Sequence, residues 1–583
     1  MAEWLSNAEL QPTDLAEFIK FESSCKLNYQ FEPLFIKLLW QRGIKNLDQL
    51  ATFLKADLAN LLKAARQIYD IDKAAQEIIR AVKNNTPIII YGDYDVDGIT
   101  STSLLWRFLY RDLKANVIPF VPDRKVEGYG LNLAKIRELA GKDELGNKLT
   151  RKLLITVDCG IRDKDLIAQI RQELPLLDVL VTDHHQLPDY NNLPATIIVH
   201  PQHPLSTLNN ESKEMCACAV VWLLISVIKD LLNIAQSSQY LELVALATVC
   251  DVMPLGGINR EFVKLGLEEL KKTSVAGLRA LLRVTKLETS ELSSYHLGYI
   301  LGPRLNASGR IGNAMQAVRL LTTDLVPSAG KIAGELDLLN QKRQELTKAA
   351  LKNVKEFVAG SSENIIIVAN SEWEEGIIGL IAGKLQQEFN LPAIALTQKN
   401  KEHWVGSARS NQNIDITKLI SSQQKILVKY GGHSQAAGLT VSTQNLAEFM
   451  TNIRAEAKLN IDPKLLETNI KYDLEIRLED LKSKFFEQLN LLEPYGNKNE
   501  EPLFKFSNLT IKDYSLIGNG NHIKLYPHVD LADKLELIWF NFSLNPDIFN
   551  YPAHDFLGIV GYNKWQGNLF PQVKIKYHHK NEI

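Results

Sequence analysis

Short apolar runs alternate with helix-like segments between about residues 85 and 200 of this chain. The runs are PIIIY (87–91), NVIPFV (116–121), KLLITV (152–157), DVLVT (178–182) and TIIVH (196–200). Runs that are almost wholly apolar and rich in Ile and Val are typical of strands buried on both faces. Their alternation with helical segments predicts a parallel β-sheet covered by helices on both sides.

Elsewhere the pattern is different. Residues 1 to about 85 have helical spacing, as in FIKLLW, and contain no catalytic pattern. Residues 330–358 contain no proline and carry leucines at helical intervals, which predicts one long connecting helix. NIIIVA, GIIGLIAGKLQQEF and PAIALT then predict a second α/β region. Five aromatic-rich segments, LFKFSNLTI, HIKLYPHV, LELIWFNF, FLGIVGY and QVKIKYH, predict a small closed barrel, with an OB-fold as one candidate.

These changes of pattern predict a multidomain α/β protein, because 583 residues exceed what one hydrophobic core holds. The predicted segments are an N-terminal helical lead (1–70), a parallel-sheet domain (71–329), a connecting helix (330–362), a second α/β domain (363–460) and an OB-like barrel (461–583).

Composition adds further constraints. With 45% hydrophobic and 23% charged residues, the chain is typical of globular protein and not of disordered or fibrous chains. The five cysteines form no CxxC pair, which favours reduced thiols and a cytoplasmic location. The first ten residues lack a signal-peptide pattern, and the most apolar stretch, 217–228, is shorter than the roughly 20 residues of a membrane span, so we expect no membrane segment. A net charge of −2 argues against a nucleic-acid partner unless the acidic residues gather at a metal site.

Three carboxylates crowd the turn IIIYGDYDVDGIT, residues 88–100, directly after the first apolar run. Asp93, Asp95 and Asp97 repel one another at this spacing, so the turn is costly unless cations neutralise it. An EF-hand loop also begins D-x-D-x-D-G, but its twelfth position here is Leu104 instead of Glu, and a strand precedes it instead of a helix. A helix cap explains one Asp and not three. The turn therefore predicts a metal site.

Later apolar segments end in the same chemistry. KLLITV runs into Asp158, DVLVT runs into Asp183, His184 and His185, and Asp251 follows LVALATVC. Ligands of open α/β sheets gather at the carboxyl ends of strands, so these side chains can converge on one site. A single Asp at a strand end is more often a turn residue or a helix cap, but adjacent histidines at a further strand end favour a metal site.

The residue types indicate the metal and its chemistry. Carboxylates with imidazoles and no cysteine favour Mn²⁺, with Mg²⁺ as the alternative, over a structural zinc site. The ligands are numerous enough for two divalent ions joined by a bridging carboxylate. Two such ions activate water and stabilise charge on the attacking and leaving oxygens, which predicts phosphodiester hydrolysis.

These residues fall in motifs that resemble a known family. Four motifs resemble, in order, those of the DHH phosphoesterase superfamily: GDYDVDG (92–98), VDCG (157–160), TDHH (182–185) and ATVCDVMPL (247–255). Five more narrow the resemblance to its RecJ branch: EGYG (127–130), GPRLNASGR (302–310), GSARS (406–410), GGHSQAAG (431–438) and EPYGNKNEEPLF (493–504). The resemblance extends from about residue 70 to the end of the chain.

The resemblance implies roles for the acidic and imidazole residues. The implied metal ligands are Asp93, Asp95, Asp158, His184 and Asp251. Asp158 would bridge the two ions and act in catalysis with His184 and His185, the last as ligand, acid or transition-state stabiliser. Asp97 would lie behind the ligands or cap a helix. Related small-molecule phosphatases carry a His four residues before the first Asp, and Ile89 at that position implies a first ion with fewer protein ligands.

The resemblance also implies substrate contacts. The second α/β region is similar to the DHHA1 domain, in which GSARS and GGHSQAAG would bring backbone amides close to phosphate, although ordinary tight turns fit the same glycines. The implied substrate-binding residues are Arg124, Arg304, Arg310, Ser407, Arg409, Gly431, Gly432 and His433. Most aromatics of the barrel are expected in its core, and exposed ones, among Trp539, Phe540 and their neighbours, would stack on unpaired bases.

Together with the metal site, the resemblance implies a two-metal-dependent exonuclease that hydrolyses single-stranded DNA from 5′ to 3′, releases 5′-mononucleotides and serves DNA repair and recombination. It implies single-stranded DNA as partner, a single-strand-binding protein and a helicase as protein partners, and a monomeric state. One alternative is a DHH phosphodiesterase of short oligonucleotides or cyclic dinucleotides, against which the barrel argues. Another is an inactive replication scaffold, against which the intact ligand set argues.

Overall fold

The computed structural model describes residues 4–6, 14–124, 126–128, 130–141, 150–188, 194–195, 197–358, 363–466, 469–528, 535–542, 553–565 and 568–580. The chain divides into two compact units, Met1–Ala56 with Asn469–Ile583, and Asp57–Thr468. The first unit therefore joins two segments that are far apart in sequence, whereas the second is one continuous segment.

The N-terminal segment of the first unit is mainly helical. Its elements are β1 (Trp4–Ser6), α1 (Leu15–Tyr29), α2 (Pro33–Gln41) and α3 (Leu47–Leu54). Pro33 stands in the first turn of α2, where its missing amide hydrogen costs no helical bond. Asn46 caps α3 because its side chain accepts from the Gln49 amide at 2.9 Å. Local sequence thus sets where both helices begin.

The second unit begins with a parallel sheet covered by helices. Its elements are α4 (Leu58–Ala65), α5 (Ile71–Lys83), β2 (Ile88–Tyr91), α6 (Val96–Trp106), β3 (Val117–Phe120), α7 (Leu133–Gly141), β4 (Lys152–Val157), α8 (Lys164–Glu173), β5 (Leu177–Thr182), β6 (Ile197–Val199), α9 (Ala217–Leu231), α10 (Leu241–Cys250), α11 (Gly257–Lys271), α12 (Ala276–Val284), α13 (Gly302–Ile311) and α14 (Met315–Thr322). The strands lie in the order β3-β2-β4-β5-β6 and every pair is parallel. The predicted parallel sheet is confirmed, and β2, β4 and β5 are direct neighbours.

Both faces of this sheet are buried, as the continuous apolar runs predicted. Ile88 and Ile90 of β2 belong to a core shared with α5, α6, α9 and α10, whereas Ile89 and Tyr91 belong to a second core shared with α7 and α8. The apolar stretch of α9 is buried almost throughout, which confirms the expected internal helix. Across the described residues, helices that combine the length and the hydropathy needed to cross a bilayer are absent.

Short irregular helical segments connect several elements. Two π-helical segments, Arg107–Asp112 and His296–Leu301, follow α6 and precede α13. Turns of 3₁₀ helix lie at Thr289–Glu291, Glu375–Ile377, Thr443–Asn445, Pro463–Leu466, Leu478–Asp480 and Asn490–Leu492.

The predicted connecting helix is α15 (Val326–Val358), whose 33 residues span about 50 Å at 1.5 Å per residue. The helix begins before residue 330, where the prediction placed its start. Pro327 does not prevent this, because it stands in the first turn, where proline is tolerated. Ala329, Ala333 and Leu336 pack in the core of the parallel-sheet region. Residues from the later turns, such as Leu351, pack with α16 of the next region. One rigid helix therefore joins two hydrophobic cores.

The second α/β region contains β7 (Ile366–Ala369), α16 (Ile378–Phe389), β8 (Ala393–Gln398), β9 (His403–Arg409), α17 (Ile416–Ser421), β10 (Leu427–His433), β11 (Ala436–Ser442) and α18 (Leu446–Asn460). Its strand order is β10-β11-β9-β8-β7, with β7 and β8 parallel and the other pairs antiparallel. α16 covers one face together with α15, and α17 and α18 cover the other. The result is a mixed sheet between two helical layers.

The C-terminal segment forms a barrel-like sheet. Its elements are β12 (Ile470–Tyr472), β13 (Leu474–Glu475), α19 (Ser483–Leu489), β14 (Leu503–Leu509), β15 (Ile511–Ile517), β16 (His522–Pro527), β17 (Glu536–Trp539), β18 (His554–Trp565) and β19 (Asn568–Lys580). The strand order is β13-β14-β18-β19-β17-β16-β15. The predicted segment LFKFSNLTI corresponds to β14, whereas β15, which follows it after Thr510, was not predicted. Because the successive strands β14 and β15 lie at opposite ends of the order of the main strands, the order is that of an OB barrel, with β17 and β19 as its parallel pair.

The two segments of the first unit share one hydrophobic core. Phe35 and Trp40 of α2 belong to the same cluster as Phe485 of α19 and Phe504 of β14. β1 pairs in parallel with β12. Arg42 donates to the Asn499 side chain at 2.9 Å and lies 3.3 Å from a carboxylate oxygen of Asp473. The N-terminal helices therefore complete the packing of the barrel, a grouping that the sequence did not suggest.

Candidate active site

The acidic turn between β2 and α6 is fixed by its backbone. The Asp95 carboxylate caps α6 by accepting from the amides of Asp97 and Gly98 at 3.0 and 3.2 Å. A Cβ on Gly98 would lie 2.3 Å from the Asp93 carbonyl oxygen, and one on Gly92 would lie 2.0 Å from the Thr102 hydroxyl, so only glycine fits at either position. The close packing of β2 on α6 thus holds Asp93 and Asp95 at the carboxyl end of the sheet.

Asp97 is tied to a different helix. Its carboxylate accepts from the amides of Ala217 and Cys218 at 2.6 and 2.8 Å, at the first turn of α9. Of the two roles considered for Asp97, the structure provides the cap, but on α9, while Asp95 caps α6. Asp97 also lies 3.6 Å from Nε2 of His184, so it borders the site as well as anchoring it.

The other strand ends meet this turn. Asp158 follows β4 with a left-handed backbone, φ 61°, and His184 and His185 follow β5. Nε2 of His184 lies 3.2 Å from Asp158 and 3.5 Å from Asp251, which ends α10, and Nδ1 of His185 lies 3.8 Å from Asp158. The structure thus brings together residues from four separate segments, because β2, β4 and β5 are neighbours in the sheet.

Three groups of side chains present ligand atoms within 4.8 Å of one another: Asp93 with Asp95 and Asp158, Asp158 with His184 and His185, and Asp97 with His184 and Asp251. Asp158 and His184 each belong to two groups. We call these seven residues the acidic cluster. Such a set of carboxylate oxygens and imidazole nitrogens matches the ligand preference of Mn²⁺ and Mg²⁺.

The positive charge of His185 offsets only part of the repulsion among the five carboxylates of the acidic cluster. Burial, followed by the charges of neighbouring carboxylates, raises the pKa of Asp93 to about 8 and of Asp97 to about 7, and raises the pKa of Asp158 and Asp251 well above the ordinary range. Asp93, Asp158 and Asp251 each keep one buried oxygen that has no hydrogen-bond donor among the described residues. Burial also lowers the pKa of His184 to about 3, which leaves a neutral imidazole. Divalent cations would satisfy all of these groups.

His185 is oriented by Asp183, a residue to which the sequence assigned no role. Nδ1 of His185 lies 2.8 Å from Asp183, whose carboxylate also accepts from the amides of Ile161, His184 and His185 at 2.9, 2.7 and 3.1 Å. Burial opposes protonation of His185, but the bond to Asp183 and the charges of Asp183, Asp251 and Asp93 outweigh it and raise its pKa to about 9. Nε2 is therefore the ring nitrogen that can serve a reaction.

Four guanidinium groups form a second set, which we call the arginine cluster: Arg124, Arg310, Arg343 and Arg409. Burial and then Arg124 and Arg343, with a smaller effect of Arg409, lower the pKa of Arg310 to about 10. Arg124 lies 4.0 Å from Glu375 and its guanidinium carbon is 5.5 Å from the Tyr94 ring centre, while Nε of Arg343 is buried without a hydrogen-bond partner in the described part of the chain. Cations that lower one another's pKa favour a bound anion such as phosphate.

The arginine cluster lies against the acidic turn. A Cβ on Gly309 would be 2.2 Å from the Tyr94 carbonyl oxygen, and one on Gly376 would be 1.9 Å from the Arg310 carbonyl oxygen. α13 is therefore packed between the acidic turn and the second α/β region. Arg304, on the same helix, forms an ion pair with Asp337 of α15 at 2.8 Å, so its charge already has a partner.

The predicted glycine loops of the second α/β region are strands. GSARS lies in β9, whose backbone pairs with β8 on one side and β11 on the other, so the expected cradle of free amides is wrong there. The side chains of Ser407 and Arg409 share one face of β9, since strand side chains alternate, and Arg409 donates to the Ser407 hydroxyl at 3.1 Å. Gly431, Gly432 and His433 end the exposed edge strand β10 and pair with β11.

Several residues of the site carry little signal in sequence. Arg343 lies within the regular pattern of α15, and His200, whose Nε2 lies 2.8 Å from the His185 carbonyl oxygen, follows β6 as an isolated histidine. Gly379 opens space at the start of α16, where a Cβ would lie 3.2 Å from the Ser407 hydroxyl and 3.3 Å from the Arg409 guanidinium. The glycine pair in GIIG was the one sequence feature that could have marked this helix end.

Comparison with known proteins places these features in a family. The model of the DHH family N-terminal domain matches residues 87–248, that of the DHHA1 domain 362–459 and that of the RecJ OB domain 472–577. The single-stranded-DNA-specific exonuclease RecJ of Bacillus subtilis is 32% identical over 93% of this chain and 67% of that protein, and RecJ of Haemophilus influenzae is 30% identical over 94% and 96%. Two crystal structures of Thermus thermophilus RecJ match 100% of this chain. The Mn²⁺ complex has a TM-score of 0.83 and 27% sequence identity, with 80% of its own chain matched. The Mg²⁺ complex has a TM-score of 0.77 and 25% sequence identity, with 79% of its own chain matched. With the parallel sheet, the mixed sheet and the OB barrel in the same order as these relatives, the chain belongs to the RecJ family of single-stranded-DNA-specific exonucleases.

Proposed function

We propose that this chain is a two-metal-dependent exonuclease that hydrolyses single-stranded DNA from 5′ to 3′ and releases 5′-mononucleotides. The observation that carries the proposal is the acidic cluster, whose buried carboxylates are only partly offset by the charge of His185. This cluster lies against the arginine cluster, in which Nε of Arg343 is buried without a hydrogen-bond partner among the described residues. The acidic cluster needs cations and the arginine cluster beside it needs anions. A nucleic-acid strand meets both needs, because its phosphates bind to arginines and to metal ions.

Five residues would hold two divalent ions in this proposal: Asp93, Asp95, Asp158, His184 and Asp251. Asp158 is the candidate bridge, because it shares groups with both Asp93 and His184. Ile89 lies buried in the sheet core and offers no ligand, so the ion beside Asp93 would have fewer protein ligands. When bound, the ions supply Lewis-acid stabilisation of the phosphoryl oxygens and activate a water molecule. Mn²⁺ fits the mixed oxygen and imidazole set, with Mg²⁺ as the alternative.

His185 supplies a proton in the proposed reaction. In the proposed step, water attacks phosphorus and the bond from phosphorus to the 3′-oxygen breaks. The leaving 3′-oxygen takes the proton of Nε2 of His185, the attacking water gives one proton to solvent, and solvent returns a proton to Nε2. Asp183 holds the ring by Nδ1 throughout and stabilises its charged form. His200, donating from Nε2 to the His185 carbonyl because its Nδ1 accepts from the Gln202 amide, fixes the backbone of His185.

The arginine cluster would bind phosphates of the strand, with Ser407 and the start of α16 beside Arg409. His433, Gly431 and Gly432 at the end of β10 extend this surface, since the pKa of His433 is lowered first by burial and then by the charges of Arg162 and His185. Arg304 remains a proposed contact of lower rank because Asp337 already neutralises it. The strand would run between the parallel-sheet domain (71–329) and the second α/β domain (363–460), joined by the connecting segment (330–362).

The remaining parts of the proposal rest on family membership alone. The barrel (461–583) would bind the strand, and the helical lead (1–70) would take no part in catalysis. The protein would act in DNA repair and recombination, as a monomer in the cytoplasm. Its protein partners would be a single-strand-binding protein and a helicase. In the barrel, Phe540, Tyr526 and Tyr577 are exposed and can stack on bases, whereas Phe542 is buried.

The proposal is tested by offering the protein with Mn²⁺ four labelled substrates: single-stranded DNA, duplex DNA, RNA and a dinucleotide. We expect mononucleotides to appear from the 5′ end of single-stranded DNA from the first turnover, and much slower cleavage of duplex and RNA. Products that start from the 3′ end would reverse the polarity. Faster cleavage of the dinucleotide than of the long strand would favour a short-oligonucleotide phosphodiesterase, and no cleavage at all would favour an inactive scaffold.

A further inference from the structure

An exposed pair of tyrosines lies outside both charged clusters. Tyr295 and Tyr299 are 59% and 73% exposed, and their rings stack with centroids 5.1 Å apart and planes 25° apart. Neither ring joins the hydrophobic core of the described residues. Two stacked aromatic rings left in solvent are unusual in a well-packed unit, because each could bury a large apolar area elsewhere.

The segment that carries the pair is anchored on its other side. Leu297 and Leu301 of the π-helical segment His296–Leu301 are fully buried in the main core, so the two tyrosines are left on the outward side. The segment runs directly into α13, and Arg304 of that helix donates to the Ile300 carbonyl oxygen at 2.6 Å. The tyrosine pair is therefore held in place without its own rings being needed for packing.

This segment also contacts the end of α10, just before a candidate metal ligand. The Cys250 thiol lies 3.5 Å from the Leu297 carbonyl oxygen, and a Cβ on Gly298 would lie 3.2 Å from the Val249 side chain. A Cβ on Gly302 would lie 2.2 Å from the Cys250 sulfur. Asp251, the next residue, belongs to the acidic cluster. The segment beside the exposed tyrosines thus packs against the side chains of the two residues that precede Asp251.

We propose that Tyr295 and Tyr299 form a stacking platform for an unpaired base of the substrate strand, on the Asp251 side of the acidic cluster. Aromatic rings stack on any base whose face is free, which a single strand offers and a duplex does not. Arg310 of α13 supplies positive charge for the phosphates that flank such a base, whereas the charge of Arg304 is already paired with Asp337. The platform adds affinity and single-strand preference and takes no part in bond breaking. This inference rests on the proposed function.

Three variants test the platform. Tyr295→Ala with Tyr299→Ala removes both rings, and Tyr295→Phe with Tyr299→Phe keeps them. Tyr110→Ala is the matched control, because Tyr110 is also exposed and stacks at four-residue spacing on Trp106, 4.6 Å away, but Trp106 packs against the main core. We expect the double Ala variant to bind oligothymidylate about fivefold to a hundredfold more weakly, and the Phe and Tyr110 variants to bind as the wild type does.

A strand with one abasic nucleotide sharpens the test. Moving the abasic position along the strand should weaken binding to the wild type at one or two positions, and the double Ala variant should show no further loss there, because the stacking partner is already absent. Double Ala variants that bind as tightly as wild type, or Phe variants that lose as much affinity as Ala, would overturn the platform. A wild type that neither binds nor cleaves single-stranded DNA refutes the proposed function instead, so the two failures are distinguishable.

Discussion

The acidic cluster and the arginine cluster of the Asp57–Thr468 unit carry opposite charges, and each lacks part of its neutralising partner. Asp93, Asp158 and Asp251 keep buried oxygens without donors among the described residues. Arg343 keeps a buried Nε without a partner there, and burial with neighbouring guanidiniums lowers the pKa of Arg310 to about 10. Both clusters therefore cost folding free energy until a ligand of opposite charge binds.

The two clusters differ in how their side chains are held. The acidic cluster uses short side chains that follow buried strands, begin α6 or end α10. Backbone amides fix some of them, as the Ala217 and Cys218 amides fix Asp97. The arginine cluster uses long side chains from four segments, the loop after β3, α13, α15 and β9. Short, fixed groups position ions for a reaction, whereas long groups reach for phosphate. We therefore expect substitutions in the acidic cluster to affect the rate and those in the arginine cluster to affect binding.

The largest effect is expected for Asp158→Asn. Asparagine keeps the size and tolerates the left-handed backbone of φ 61°, but it removes the charge. We expect kcat/KM on single-stranded DNA to fall by more than the roughly 10–100-fold that is typical when a residue hydrogen-bonded to a metal ligand is substituted. Without metal, the variant should melt at a higher temperature than the metal-free wild type, because the repulsion between Asp158 and the neighbouring carboxylates is removed. Asp178→Asn, at the other end of the sheet and paired with Arg151 at 2.7 Å, is the control and should change neither value.

Metal removal tests the cost of the acidic cluster directly. Because the pKa of Asp93 is raised to about 8 and that of Asp97 to about 7, the metal-free fold binds protons that the unfolded chain releases. The contribution of these two carboxyl groups to the stability of the metal-free fold is therefore full below about pH 4 and is lost as the pH rises through about 7 and 8. Mn²⁺ at a hundred times its Kd should stabilise the fold by about 2.7 kcal/mol. The gain in melting temperature should grow between about pH 5 and pH 8, and a gain independent of pH would contradict this account.

Asp183→Asn separates orientation of His185 from metal binding. Loss of the charge that holds Nδ1 should lower kcat about 10–100-fold while KM and the Mn²⁺-dependent gain in melting temperature stay near wild type. Asp165→Asn, exposed in the first turn of α8, is the matched control. If the variant lost the Mn²⁺-dependent gain, Asp183 would have to be counted with the metal site and not with His185.

The smallest of these effects is expected for Arg409→Ala. Removing one phosphate contact should weaken strand binding roughly three- to tenfold at moderate salt and reduce the slope of log affinity against log salt by about 1. The kcat at saturating strand should be retained. Arg137→Ala, whose partner is Glu173, is the control and should leave both the affinity and the slope unchanged. A fall in kcat with unchanged affinity would place Arg409 with the reacting groups and end the distinction between the two clusters.

Much of the acidic cluster could be predicted from the sequence because its residues mark strand ends. Asp93, Asp158 and His184 each follow an apolar run within two residues, and strand ends that share a sheet edge converge. Asp183 stood in the same segment, but its bond to His185 depends on side-chain direction, which a sequence pattern does not give. Arg343 was missed because an arginine in a long helix is ordinary until other arginines pack beside it.

Local apolar period and residue type were enough to predict the parallel sheet, the connecting helix, the three folded regions and the candidate ligands. The strands β9 and β10, which the sequence predicts as glycine loops, became visible only through contacts in the folded chain, because strand pairing joins β9 to residues about 30 positions away. The tertiary structure also decided that the helices up to Ala56 complete the barrel unit. Both results depend on contacts between distant parts of the chain, and apolar patterns show that a face is buried without showing which partner covers it.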